Sequence, residues 1–243
     1  MTTGFLLLHA FPLDAGMWDA QVAGLSETAP VVAVNLPGFG GAPMAERSGW
    51  MDSAADAAAM ALGGTGIDRV VLCGLSMGGY VALAFMRRHR ELVAGLVLAN
   101  TKSGGDDDAG KQRREDLAKR LRAEGNGFLV SSPPPLLSEH ASPDLRMQIQ
   151  TLIGRQPAEA IARASEAMAD RVDSTPDLAG IKVPTLIITS TGDALIPADV
   201  SKPMATQVPG ATLAVIDRAG HLSNLEAPDE FNRLLKEHLA RCQ

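Results

Sequence analysis

Residues 69–89, RVVLCGLSMGGYVALAFMRRH, restrict what this 243-residue chain can fold into more than any other stretch. Residues 70–73 are apolar, begin with β-branched Val70 and Val71, and lie between Asp68-Arg69 and Gly74, so they read as a short buried strand. Residues 77–90 carry Tyr80, Val81, Ala84 and Phe85 at helical spacing and end in a basic turn, which suits the negative end of a helix dipole. Between strand and helix stands Gly74-Leu75-Ser76-Met77-Gly78, the Gly-x-Ser-x-Gly spacing of a nucleophile elbow. A serine lifted onto so sharp a turn needs neighbours without side chains, and Gly74, Gly78 and Gly79 supply them. The same turn sets Ser76 at a helix N-terminus, where free backbone N–H groups, that of Met77 among them, can face a developing negative charge.

The remaining apolar runs repeat this strand-then-helix order. Residues 5–8 form a strand ending in the loop His9-Ala10-Phe11-Pro12, and residues 17–26 are helical. Residues 31–34 form a second strand, followed by the tight loop Asn35-Leu36-Pro37-Gly38-Phe39-Gly40-Gly41 and an alanine-rich helix over 52–62. Residues 92–99 give a further strand. Residues 101–178 then lack any strand pattern and contain helical stretches near 112–123, 144–152 and 157–169, broken by a proline run at 133–135. Strands return at 183–189 and 211–216, with helices at 198–207 and 228–239. Strands separated by helices predict a mostly parallel sheet covered on both faces. The expected division is a core of residues 1–100 and 179–243, interrupted by a helical insertion over 101–178.

The net charge of −6 lacks the basic surplus that nucleic acid or an anionic membrane would require. The N-terminal apolar run is too short for a secretory signal or a membrane span, and Cys73 and Cys242 read as free thiols in a reducing compartment, so a cytoplasmic location is expected. Asp106, Asp107 and Asp108 read as a solvated loop opening a helix rather than a metal site, and 111–122, which mixes both signs, as a surface of the insertion rather than a nucleic-acid patch. No cofactor or metal ion is implied.

Ser76 needs a base, and the base needs a group to hold its tautomer; in a parallel sheet both belong beyond carboxyl ends of strands. Of the five histidines, His89 and His238 fall in last helical turns and His140 in the insertion. His9 follows the first strand, where it is placed to shape the next loop. His221 follows the last strand in Ala219-Gly220-His221-Leu222 and is the preferred general base. The strand ending at Ala99 is followed by Asn100 and Thr101, without a carboxylate, whereas the strand ending near Thr189 is followed by Gly192-Asp193 and Pro197. Asp193 is the preferred orienting acid and Asp217 the alternative.

Ser76, Asp193 and His221 follow one another in the order nucleophile, acid, histidine. With His9-Ala10-Phe11-Pro12, the 35–41 loop, Gly74 to Gly79, Gly192-Asp193 with Pro197, and Gly220-His221 with Glu226 and Pro228, the chain resembles the α/β-hydrolase fold family from Phe5 onward, and within it small carboxylesterases, enol-lactonases and cofactor-free haloperoxidases or perhydrolases. The resemblance implies a second oxyanion donor, the Phe11 N–H opposite that of Met77, and makes the 101–178 insertion a helical cap over the pocket. Ser76 sets the chain apart from members with an aspartate at the elbow. Ala10 stands where glycine is usual, Asn35 and Gly41 where aspartate and serine are usual. The N-terminal strands of the usual fold are missing, so about six strands are expected, with one edge shortened or covered differently.

The expected activity is hydrolysis of a small-molecule carboxylic ester through an acyl-enzyme. The same triad would also serve lactone opening or perhydrolysis, and a ligand-binding or signalling protein on this fold is the alternative outside catalysis. Leu195 and Leu222 flank the acid and base and are candidate pocket residues; Trp18, Met147 and Met168 are divided between pocket and core. Substrate selection and oligomeric state are not legible in the sequence.

Overall fold

Each apolar run becomes a strand in a computed structural model that describes residues 1–243: β1 (Thr3–Leu8), β2 (Val31–Val34), β3 (Arg69–Leu75), β4 (Val93–Ala99), β5 (Thr185–Ser190) and β6 (Thr212–Ile216). They form one sheet in the order β2-β1-β3-β4-β5-β6, and every neighbouring pair is parallel. The connecting helices are α1 (Asp19–Leu25), α2 (Trp50–Met60), α3 (Met77–Arg88), α4 (Asp108–Glu124), α5 (Gly127–Ser131), α6 (Pro143–Gly154), α7 (Ala158–Asp170), α8 (Ala198–Gln207), α9 (Ser223–Glu226) and α10 (Pro228–Arg241).

Strand order and crossover handedness together place the helices. The chain steps from β1 outward to β2, then returns past β1 to β3 and advances to β6. Right-handed crossovers put the connection of the outward step on one face and those of the return on the other. Accordingly α1 meets α10, while α2 meets α3. The direction of travel reverses between β1 and β3, and the crevice beyond the carboxyl ends of strands at such a switch point is where open α/β sheets bind ligands. The sequence had expected a shortened or differently covered edge. That edge is β2, four residues long and half-buried, and shortness itself limits the unpaired backbone an edge presents.

Burial follows strand position. β4 and β5 are buried at every residue, as strands covered on both faces must be, whereas edge strand β6 alternates and exposes Leu213 and Val215. Trp18, divided between pocket and core by sequence, is core: its ring lies 5.9 Å from that of Phe231.

Several boundaries differ from expectation for local reasons. The stretch expected as one helix from 17 begins with a 3₁₀ turn, Ala15–Trp18, capped by the Asp14 carboxylate on Gly16 N. α4 starts at Asp108, ahead of the expected 112, because the Asp107 side chain caps it through Gly110 N at 2.7 Å. α5 and α9, five and four residues long, are too short to show a helical period. Asp106 departs most: it was expected in solvent, yet its carboxylate is 7% exposed and accepts from Lys102 at 2.9 Å, Arg114 at 2.5 Å and Arg171 at 2.7 Å. Three cations from separate parts of the segment between β4 and β5 converge on it.

Candidate active site

Ser76 stands where β3 stops and α3 begins, and two close approaches dictate the glycines around it. A Cβ at Gly74 would overlap the Gly78 carbonyl, and a Cβ at Gly78 would overlap the carbonyl of Leu8 at the end of β1. Glycine at 78 therefore lets the first turn of α3 sit against the strand that leads into the His9–Phe11 loop. Ser76 pays for the turn with φ 57°, unusual for a residue with a side chain. Its backbone is held on both sides: Ser76 N donates to Ala99 O at 3.0 Å, and Thr101 Oγ1 donates to Ser76 O at 2.8 Å. A serine at this position commonly caps the helix with its hydroxyl, but Ser76 makes no such bond, leaving Oγ available to the cavity.

Asp193 and His221 come together across the carboxyl ends of β5 and β6. His221 Nδ1 and Asp193 Oδ2 are 2.8 Å apart, with the two residues 2% and 5% exposed. The remaining lone pairs of Asp193 are also satisfied: Leu195 N and Ile196 N each donate to Oδ1 at 2.9 Å, and Asn100 Nδ2 donates to Oδ2 at 3.0 Å. Burial by itself would raise this carboxyl, but the bonds and charge of His221, the Ile196 N–H and Asn100 outweigh it and hold Asp193 below the usual carboxylate range. Asp217, the alternative acid, is bound instead by Thr191 Oγ1 at 2.9 Å.

Asn100 is the residue that sequence reasoning passed over. In the sequence it is only the non-acidic residue that closes β4, yet its φ of 44° turns its amide toward the acid. Asn100 Nδ2 also donates to Ser190 Oγ at 2.7 Å, Ser190 Oγ donates to Gly220 O at 2.6 Å, and Ser223 Oγ donates to Asn100 Oδ1 at 2.6 Å. This buried chain ties the ends of β4 and β5 to both sides of His221. Glu226 fixes the same loop from outside, accepting from Gly220 N at 2.8 Å and from Ser138 N and Oγ at 3.0 and 2.5 Å.

Ser76 and His221 open on one cavity of about 450 Å³, within the usual range of small-molecule sites. Its wall includes Phe11 from the loop after β1, Leu195 beside Asp193, and Met168 of α7. Met77, at the first turn of α3, is buried. Leu222, a pocket candidate by sequence, is a correction: it is fully buried and absent from the wall, because the chain turns inward there to start α9. Met147 is 60% exposed on α6 and lies away from the cavity. Arg113 and Arg114 of the mixed-charge helix α4 also line the cavity. No group of three or more His, Cys, Asp or Glu residues is placed to hold a metal ion, and no helix is long and apolar enough to cross a membrane.

His9 acts as a buried strut rather than as a partner of Ser76. Its Nδ1 lies 3.0 Å from Ala10 O and its Nε2 accepts from Leu36 N at 3.0 Å, so the neutral ring joins the loop after β1 to that after β2. Desolvation lowers its pKa to about 4 against the bonding to Ala10. His238 of α10 is lowered to about 4 by burial and by Arg241; its ring nitrogens face the Pro184 and Leu96 backbone without closing a hydrogen bond. Both histidines are neutral in the folded protein and protonate readily only when it unfolds. Their effect is absent above pH 6.5 and grows as pH falls from 6.5 to about 4, to about 3 kcal/mol each. Denaturant titrations should show stability falling through this window, and His238→Leu should flatten the slope by about one proton; an unchanged slope would remove His238 from the account.

Residues 5–234 match the alpha/beta hydrolase family. The chain belongs to that family. A thermophilic esterase from Thermogutta terrifontis, solved with malate bound, superposes on this hydrolase with a TM-score of 0.91 and 35% identity, covering 100% of this chain and 92% of that one. The pimeloyl-[acyl-carrier protein] methyl ester esterase of Neisseria meningitidis is 29% identical over 95% of this hydrolase and 91% of its own length. The 3-oxoadipate enol-lactonase 1 of Acinetobacter baylyi is 28% identical over 95% and 86%.

Proposed function

We propose that this hydrolase cleaves small-molecule carboxylic esters through an acyl-enzyme on Ser76. The observation that carries the reading is the buried Asp193–His221 pair, 2.8 Å apart, opening on the same cavity as an uncapped serine hydroxyl. Ser76 Oγ attacks the acyl carbonyl while His221 Nε2 takes the hydroxyl proton. Asp193 keeps the other ring proton on Nδ1 and stabilises the imidazolium as it forms. Charge developing on the carbonyl oxygen meets the N–H groups of Phe11 and Met77, dipoles fixed by the backbone. The tetrahedral species collapses, the ester C–O bond breaks, and His221 returns its proton to the departing alkoxide. Water then enters, gives a proton to His221 and its oxygen to the acyl carbon, and Ser76 leaves with that proton. In this reading residues 101–178 are a cap on a core of residues 1–100 and 179–243, and Leu195 borders the bound acyl group.

Lactone opening uses the same steps with the alkoxide tethered to the acyl chain, and the enol-lactonase relative favours keeping it as the second reading. Side-by-side rates on p-nitrophenyl butyrate, a γ-lactone and peroxide-dependent peracid formation test the assignment. Ester cleavage is expected to be fastest. A folded protein that retains a bound ligand and turns over none of the three would contradict it.

A further inference from the structure

The charge around the cavity contrasts with that of the whole chain. Lys102, Arg113 and Arg114 line it against one carboxylate, Asp106, so three positive charges meet one negative in a protein of net charge −6. Asp106 is already saturated. Lys102 and Arg171 occupy its Oδ1, Arg114 Nε occupies its Oδ2, and these partners drive its carboxyl far below the usual range although burial works the other way. The other arginines of α4 at the cavity and beyond are each paired: Arg114 with Asp106, Arg120 with Glu124, and Arg122 with Glu159 and Glu166. Arg113 has no such carboxylate. Leu117, Leu136 and Met168 make much of the rest of the wall apolar.

An apolar wall with an unpaired guanidinium suits a chain that ends in an anion. Arginine offers a planar fork of donors matched to a carboxylate, and a positive cleft in an acidic protein concentrates anions locally. We propose that the substrate is an ester or lactone bearing an ionised carboxylate on its apolar chain, and that Arg113 is the specificity residue that engages this carboxylate. The inference rests on ester hydrolysis at Ser76, and adds to it which esters are chosen.

The test compares mono-p-nitrophenyl glutarate with neutral p-nitrophenyl butyrate in the wild type, Arg113→Met and Arg113→Lys. The readout is the ratio of kcat/KM for the anionic over the neutral ester. The wild type is expected to favour the glutarate, and Arg113→Met to lower the ratio at least about tenfold, the scale of one charge-assisted hydrogen bond, mainly through KM. Arg113→Lys should recover part of it. Raising NaCl to about 0.5 M should lower the ratio more in the wild type than in Arg113→Met, which keeps Lys102 and Arg114 in the wall. A ratio unchanged in Arg113→Met, or a wild type that prefers butyrate, overturns the proposal. An acyl chain ending in phosphonate, if preferred over glutarate, overturns the carboxylate assignment. Should neither ester turn over, ester hydrolysis itself fails, and calorimetry with glutarate still decides the site: binding lost in Arg113→Met upholds it, and no wild-type binding refutes it.

Discussion

Ser76→Ala is expected to lower kcat on p-nitrophenyl butyrate by about 10⁶-fold, the scale seen when the nucleophile of a serine triad is deleted. The effect should be confined to chemistry. The Ser76 hydroxyl caps no helix, so removing it breaks no bond on which the fold depends. The backbone bonds that hold the turn, Ser76 N to Ala99 O and Thr101 Oγ1 to Ser76 O, do not involve the side chain and survive the change. Alanine accepts the positive φ of 57° about as poorly as serine does, so stability should shift by no more than about 0.5 kcal/mol. Steady-state rates beside a thermal melt check both parts. Activity retained within tenfold of wild type in the folded variant would move the nucleophile elsewhere.

Asp193→Asn should cost about 10⁴-fold in kcat, by a different route. The amide nearly preserves volume but no longer accepts at both ends. Facing Leu195 N, Ile196 N, Asn100 Nδ2 and His221 Nδ1, it must either point its own NH₂ at another donor or force His221 into the wrong tautomer. Either outcome removes the stabilised imidazolium on which proton transfer depends. The variant should also lose about 1–3 kcal/mol of stability, since a charged acceptor leaves a buried network. A fall smaller than tenfold would pass the acid role to another carboxylate, although Asp217 is held by Thr191 and would first have to be released.

How much of this was legible beforehand depended on the range of the interactions. The six strands, the elbow and the sheet-edge positions of Asp193 and His221 follow from local patterns: apolar runs, glycines where backbones collide, and a turn with one acid. The Asn100 network was hidden because it is made by residues at 100, 190, 220 and 223, and becomes visible only when a left-handed φ swings one amide between two strand ends. The surroundings of Asp106 are hidden for the same reason. An acid in a glycine-rich loop looks solvated until Lys102, Arg114 and Arg171 are seen to meet on it. Arg113 and Arg114 sit in a helix of mixed charge, and nothing in its periodicity distinguishes a cavity wall from a solvent face. Leu222 failed as a pocket residue because proximity in sequence to His221 does not fix side-chain direction where the next residues fold into α9.

Acyl transfer to Ser76 can be trapped with a p-nitrophenyl phosphonate ester and read by mass spectrometry. A single phosphonyl adduct per chain is expected, mapped to the peptide carrying Ser76 and absent from Ser76→Ala. An adduct on any other residue, or none on a folded protein that still hydrolyses esters, would contradict it.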